Sequence, residues 1–314
     1  MVCLIATLAL FCLTVKGYSG KRTSTYVKTT EDSFRFNLLR MLFCILFGII
    51  FVFAEGSQVF LPIDRGMLLI CVLAGLSNAA FLAGWLLAIQ KNSMVSVDVG
   101  LTLGSLIPAV LCAILFGEAI SLFKMLGFAL ILAATVILAG HSKKVTCGGY
   151  IGILLLLFAA VGDGMSGFAQ QLYKQYYTDA GRFGSGVYYP KSVYHFYTYV
   201  FAAAALFAVI ICYRAVTPKE PKKSEIKKLD RKLPTKVVLH VFIMAICLFA
   251  ANYLQTVATN DYGMPSQVLY PVMKGGCLIT VNFTAMLFFG EKMTLRSVIG
   301  SVVALFGIIG TSIL

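Results

Sequence analysis

Residues 116–127 read FGEAISLFKMLG and residues 289–300 read FGEKMTLRSVIG, so one motif, Phe-Gly-Glu-x-x-Ser/Thr with a later Gly, occurs twice, 173 positions apart. Each copy separates two apolar runs. The glycine is placed to end one helix. The glutamate then falls in the first turn of the next, where the positive end of the helix dipole favours an anion, and the Ser or Thr is placed to cap a free amide. Read this way the motif is a helix–turn–helix corner at a membrane surface; a proton-carrying glutamate is the other reading.

A second correspondence lies upstream. Gly17-Tyr18-Ser19-Gly20 matches Gly164-Met165-Ser166-Gly167, and the same offset sets Met1 opposite Gly148. The chain therefore divides into residues 1–141 and 148–314. Apolar runs predict helices near 1–26, 36–54, 66–89, 94–116 and 121–140 in the first part. In the second they predict helices near 148–175, 191–213, 236–258, 265–289 and 294–314. A half with an odd number of spans must enter the membrane with opposite orientation to its copy. The expected fold is an all-α integral membrane protein of ten transmembrane helices, built as two inverted five-helix repeats.

Composition agrees. Hydrophobic residues make up 59% of the 314 positions and charged residues 12%, against roughly one-half and one-quarter in a soluble domain. Ten spans of about 20 residues use roughly 200 positions and leave short loops. The long polar stretch is the basic, proline-containing linker 214–236 between the seventh and eighth helices. Met1 to Leu13 lacks the basic start of a secretory signal, and the repeat match keeps it in the first helix.

The net charge of +13 resides in breaks between apolar runs. It is read as membrane topology, with no nucleic-acid partner. Nine cysteines are scattered, mostly within apolar runs, and the three histidines lack metal-ligand spacing, so neither a disulfide framework nor a metal site is expected. The chain has no phosphate-binding Gly-x-x-x-x-Gly-Lys-Ser/Thr loop, no nucleophile elbow and no HExxH motif, so no cofactor and no enzymatic activity are expected.

Two five-helix halves, each with Phe-Gly-Glu-x-x-Ser/Thr before a Gly-containing final helix, resemble the EamA-type branch of the drug/metabolite transporter superfamily. The resemblance covers the whole chain. It implies export or exchange of small metabolites such as amino acids, and both termini in the cytoplasm. The Lys and Arg bias of the loops points the other way: Lys21, Arg22, Lys28, Lys91, Lys143, Lys144 and the linker would lie in the cytoplasm with both termini outside.

Charged groups at bilayer depth each cost at least ~2.5–3.5 kcal/mol and need a partner, a wet cavity or a task. Lys16, Asp98, Asp163 and Lys274 qualify. The repeat alignment sets Lys16 opposite Asp163 and brings Asp98 and Lys274 to helices 4 and 9, so pairs across a central cavity are expected; the plainer readings are lysines that snorkel to the surface and helix-locking pairs. Asn252, Gln255, Thr256 and Thr259 form one stripe of helix 8, and Asn78, Phe81 and the single tryptophan, Trp85, one stripe of helix 3. Either stripe suits a pocket or interhelical hydrogen bonds. Gln170, Gln171 and Lys174 read as headgroup contacts, His195 as part of an aromatic interface belt, and Arg40 as a surface anchor.

The candidate substrate-binding set is Lys16, Asn78, Trp85, Asp98, Asp163, Asn252, Gln255, Thr259 and Lys274. The function expected is secondary transport, by alternating access, of a small amino-acid-like, zwitterionic or anionic solute. A channel, or a membrane protein that binds a ligand without transport, is the alternative. The expected setting is the plasma membrane, as a multi-pass monomer or homodimer.

Overall fold

A computed structural model describes residues 1–57, 62–91, 97, 101–102, 104–117, 121–139, 149–178, 188–216, 235–290 and 295–312. Among the described residues there are ten α-helices and no strand. They are α1 (Val2–Ser24), α2 (Thr30–Ala54), α3 (Arg65–Lys91), α4 (Leu106–Phe116), α5 (Leu122–Ala139), α6 (Gly149–Thr178), α7 (Lys191–Val216), α8 (Thr235–Asn260), α9 (Ser266–Phe289) and α10 (Leu295–Ser312).

Six of them, α1, α2, α3, α7, α8 and α9, are long and apolar enough to cross a membrane. Large apolar side chains such as Phe11, Phe53, Leu69 and Phe288 point outward, which suits lipid as the solvent and not water. The chain is a multi-pass membrane protein.

Local chemistry sets the helix ends. Thr29 and Asp32 form a reciprocal capping box at the start of α2: the Thr29 hydroxyl accepts from the Asp32 amide at 3.1 Å, and the Asp32 carboxylate accepts from the Thr29 amide at 3.0 Å. Gly117 and Gly290 end α4 and α9 with φ of 67° and 63°, the left-handed conformation that only glycine adopts without strain. Ser121 caps α5, its hydroxyl accepting from the Lys124 amide at 3.4 Å. The corner role read for the motif holds at these three residues; Glu118, Glu291 and Thr294 lie outside the described residues.

Polar contacts fix the helix directions. Glu55, after α2, bonds Ser192 at the start of α7 and Tyr253 of α8, and Lys191 pairs with Asp261, just past α8, at 3.0 Å. Asp64, before α3, bonds Tyr176 late in α6. These define one end of the bundle. At the other, Arg214 of α7 reaches Glu31 of α2 at 2.7 Å, Lys21 of α1 bonds the Ile89 carbonyl of α3, and Tyr18 of α1 packs edge-on against Phe288 and tilted against Phe289 of α9.

The largest interhelical contacts run between α3 and α6, between α1 and α8, and between α5 and α10, followed by α2 against α7. Glycines make the close approaches possible. A Cβ at Gly162 of α6 would lie 2.5 Å from the Phe81 amide of α3, and one at Gly307 of α10 would lie 3.0 Å from the Gly127 carbonyl of α5.

Candidate functional site

The site starts from the crossing of α6 and α9. The Tyr270 hydroxyl donates to the Gly167 carbonyl at 2.7 Å and is 3.1 Å from Gln170 Oε1. Gly167 admits the ring, since a Cβ there would sit 2.8 Å from it. Lys274 lies one turn beyond Tyr270, and Asp163 one turn before Gly167. Residues four apart share a helix face, so in this antiparallel crossing the tyrosine–glycine contact brings the Lys274 ammonium against the Asp163 carboxylate. The two form an ion pair with each side chain only 16% exposed.

This corrects the pairing read from the repeat alignment. Asp163 is paired with Lys274, not with its alignment partner Lys16, because the α6–α9 contact, not sequence correspondence, decides which ammonium reaches the carboxylate. Lys16 does not snorkel either. It is 7% exposed, with its Nζ 5.1 Å from the Phe81 ring and 5.7 Å from the Trp85 ring. Lys16, Gly17, Trp85, Leu101, Lys274 and Cys277 line one narrow cavity, with room for about one water molecule. Trp85 enters because Gly20 has no side chain: a Cβ there would lie 2.1 Å from the indole.

Of the helix 8 stripe, Gln255, Thr256 and Thr259 are buried and Asn252 is half-buried, and two of the four reach α7. Asn252 donates to the Tyr199 hydroxyl at 3.0 Å, the Thr256 hydroxyl is 3.0 Å from His195 Nε2, and Thr259 bonds the Gln255 and Thr256 carbonyls of its own helix. Gln255 is buried as well. Asn78 donates to the Ala74 carbonyl and to Ser166 Oγ of α6, both at 2.9 Å, the interhelical hydrogen-bond role. The structure thus brings Lys16, Trp85, Asp163 and Lys274 to the cavity or its ion pair, and commits Asn78, Asn252 and Thr259 to helix contacts. Asp98 lies outside the described residues.

Other sequence readings are corrected too. His195 belongs to no interface belt; it is buried against Tyr194, Tyr199 and Phe249. Gln170 and Gln171 are buried and do not reach the headgroup layer. Arg40 is not a surface anchor: it is 0% exposed, and among the described residues none of its three guanidinium nitrogens has a hydrogen-bond partner. Its guanidinium carbon lies 5.3 Å from the Trp85 ring. A cation–π contact contributes about 0.5–2 kcal/mol, whereas desolvating an ion costs several kcal/mol, so the indole alone does not compensate this charge. The signal that identifies Arg40 was in the sequence: Ser33, Asn37, Arg40, Cys44 and Gly48 recur at helical spacing on α2, and all are buried.

No family model matches the chain, and no curated protein matches it. Solved structures do share its fold. One, described only as "Crystal structure of protein", is 15% identical, with a TM-score of 0.66 and an alignment covering 99% of this chain and 96% of that one.

Proposed function

We propose that the chain is a secondary transporter that carries a small solute, amino-acid-like and zwitterionic or anionic, through a central cavity exposed to each side of the membrane in turn. The observation that carries this reading is the Lys274–Asp163 ion pair beside a cavity that also holds the buried Lys16 ammonium. Ionisable groups kept at membrane depth are expensive, and in carriers they sit where solute or ions bind.

Ten spans arranged as two inverted five-helix halves belong to the same proposal. In its support, α1 packs on α8 as α3 packs on α6, while α2 meets α7 and α5 meets α10, the pattern that exchanging each helix with the one five further on leaves unchanged. The EamA-like motif order, duplicated at 116–121 and 289–294, supports the drug/metabolite transporter likeness. The narrowness of the cavity fits a closed conformation that must open to admit a solute.

Orientation follows from charge: Lys21, Arg22, Lys28, Arg35 and Arg214 gather at the end where α1 and α7 finish, so that end faces the cytoplasm, in the plasma membrane. The test is counterflow in proteoliposomes loaded with a metabolite mixture, with uptake of labelled amino acids and organic anions read against empty vesicles. Saturable, trans-stimulated uptake is expected. Flux that never saturates identifies a channel, and binding without flux removes the carrier.

A further inference from the structure

Three basic side chains approach one another in the bundle interior. Lys16 and Lys274 face the same cavity, and Lys16 and Arg40 lie beside one indole, that of Trp85. Lys16 also lies within electrostatic range of Arg40, Lys274 and Asp163. Among the described residues Asp163 is the one carboxylate of that set, a single negative charge whose ion-pair contact is with Lys274. Arg40 is the least satisfied: completely buried, with every guanidinium nitrogen free of hydrogen bonds among the described residues. One turn earlier on the same face, the Asn37 amide nitrogen donates to the Leu82 carbonyl at 2.8 Å, while its oxygen has no partner among the described residues.

A planar fork of five N–H donors with no acceptor among the described residues, near two lysines and a single described carboxylate, is complementary to a carboxylate or a phosphate. The geometry points to Arg40, with Lys16 beside the same indole, as the subsite that binds an oxyanion of the solute. This rests on the carrier reading above and sharpens it. The solute bears net negative charge, its oxyanion neutralises Arg40, and Trp85 lies beside Arg40 while it lines the Lys16 cavity. Lys274 and Asp163 neutralise each other and add no net charge.

Trp85 is the single tryptophan of the chain, so its emission reports on the subsite directly. The full chain in detergent is titrated with inorganic phosphate, with succinate and with alanine, each at constant ionic strength held with potassium chloride. A saturable emission change with phosphate or succinate, and none with alanine, is expected. Response to phosphate alone assigns a phosphorylated solute; response to succinate alone assigns a carboxylate. Arg40→Gln should raise the half-saturating concentration at least about tenfold, and Arg40→Lys should recover part of the affinity. Without any oxyanion, Arg40→Gln should melt at or above the wild-type temperature, because an uncompensated buried charge has been removed.

A wild-type emission indifferent to both oxyanions, together with a lower melting temperature for Arg40→Gln, makes Arg40 a structural residue and overturns the inference. A response that appears only after Asp98→Asn assigns Arg40 to an internal pair and overturns it as well. Because the titration reads binding, saturable oxyanion binding without vesicle flux leaves the subsite standing and removes the carrier. Zwitterion counterflow with no oxyanion response does the reverse.

Discussion

Asp163 of α6 receives the ammonium of Lys274 of α9 in a mostly buried ion pair, positioned by the Tyr270–Gly167 contact one turn away. Removing one partner of such a pair leaves an uncompensated charge and costs about 3–5 kcal/mol, whereas removing both is far less disruptive. Lys274→Gln and Asp163→Asn should each lower thermal stability and abolish vesicle flux. The double variant should recover most of the stability and none of the flux. Flux at the wild-type rate in the double variant would reduce the pair to a helix lock.

Gly20 and Trp85 are in direct contact, with no room for a Cβ between them. Gly20→Ala should displace the indole and cost about 1–3 kcal/mol as overpacking. Trp85 emission should shift, and flux should fall, while membrane insertion is retained. Unchanged emission from Gly20→Ala would contradict the packing of α1 on α3.

Glu55 ties α2 to Ser192 of α7 and Tyr253 of α8, and the Lys191–Asp261 pair lies at the same end of the bundle. These contacts tie α2, α7 and α8 together at that end. Glu55→Gln keeps the shape and removes the charge that strengthens both hydrogen bonds, a loss on the order of 1 kcal/mol per bond. With a reporter cysteine at Leu13, which also lines the cavity, in a cysteine-free background, labelling by a membrane-impermeant maleimide from the Glu55 end should speed up by roughly tenfold. Equal labelling rates with and without Glu55→Gln would mean that this end is not held shut by Glu55.

Cys12 of α1 and Cys247 of α8 are neighbours where α1 packs on α8. With the other cysteines replaced and a protease site placed between α7 and α8, within the 214–236 linker, mild oxidation should join the two fragments on a non-reducing gel, and dithiothreitol should release them. Fragments that always separate would argue against α1 lying along α8.

The helices were legible in the sequence, and for a physical reason. Lipid offers no hydrogen bonds to the backbone, so an apolar run long enough to cross must be helical, and the runs of 36–54 and 191–213 needed no partner to be read that way. Gly117 and Gly290 were legible for a similarly local reason, the left-handed turn that ends a helix. Trp85 and Lys16 could be nominated because an ionisable or amphipathic residue at depth stands out against its own neighbours.

Tertiary packing alone decided the partners. Sequence correspondence placed Lys16 opposite Asp163, but charge pairing depends on which helices cross and at what depth, and the Tyr270–Gly167 contact gave Asp163 to Lys274. Arg40 looked like an interfacial anchor in its local sequence, yet packing buries it beside Trp85 with no hydrogen bond to any described residue. The Asn252 stripe was visible from helical spacing, and only the placement of α7 gave Asn252 and Thr256 their partners Tyr199 and His195. Solvation fixes secondary structure one segment at a time, whereas electrostatic compensation is a property of side chains from several helices meeting in one small volume, and linear spacing does not specify that meeting.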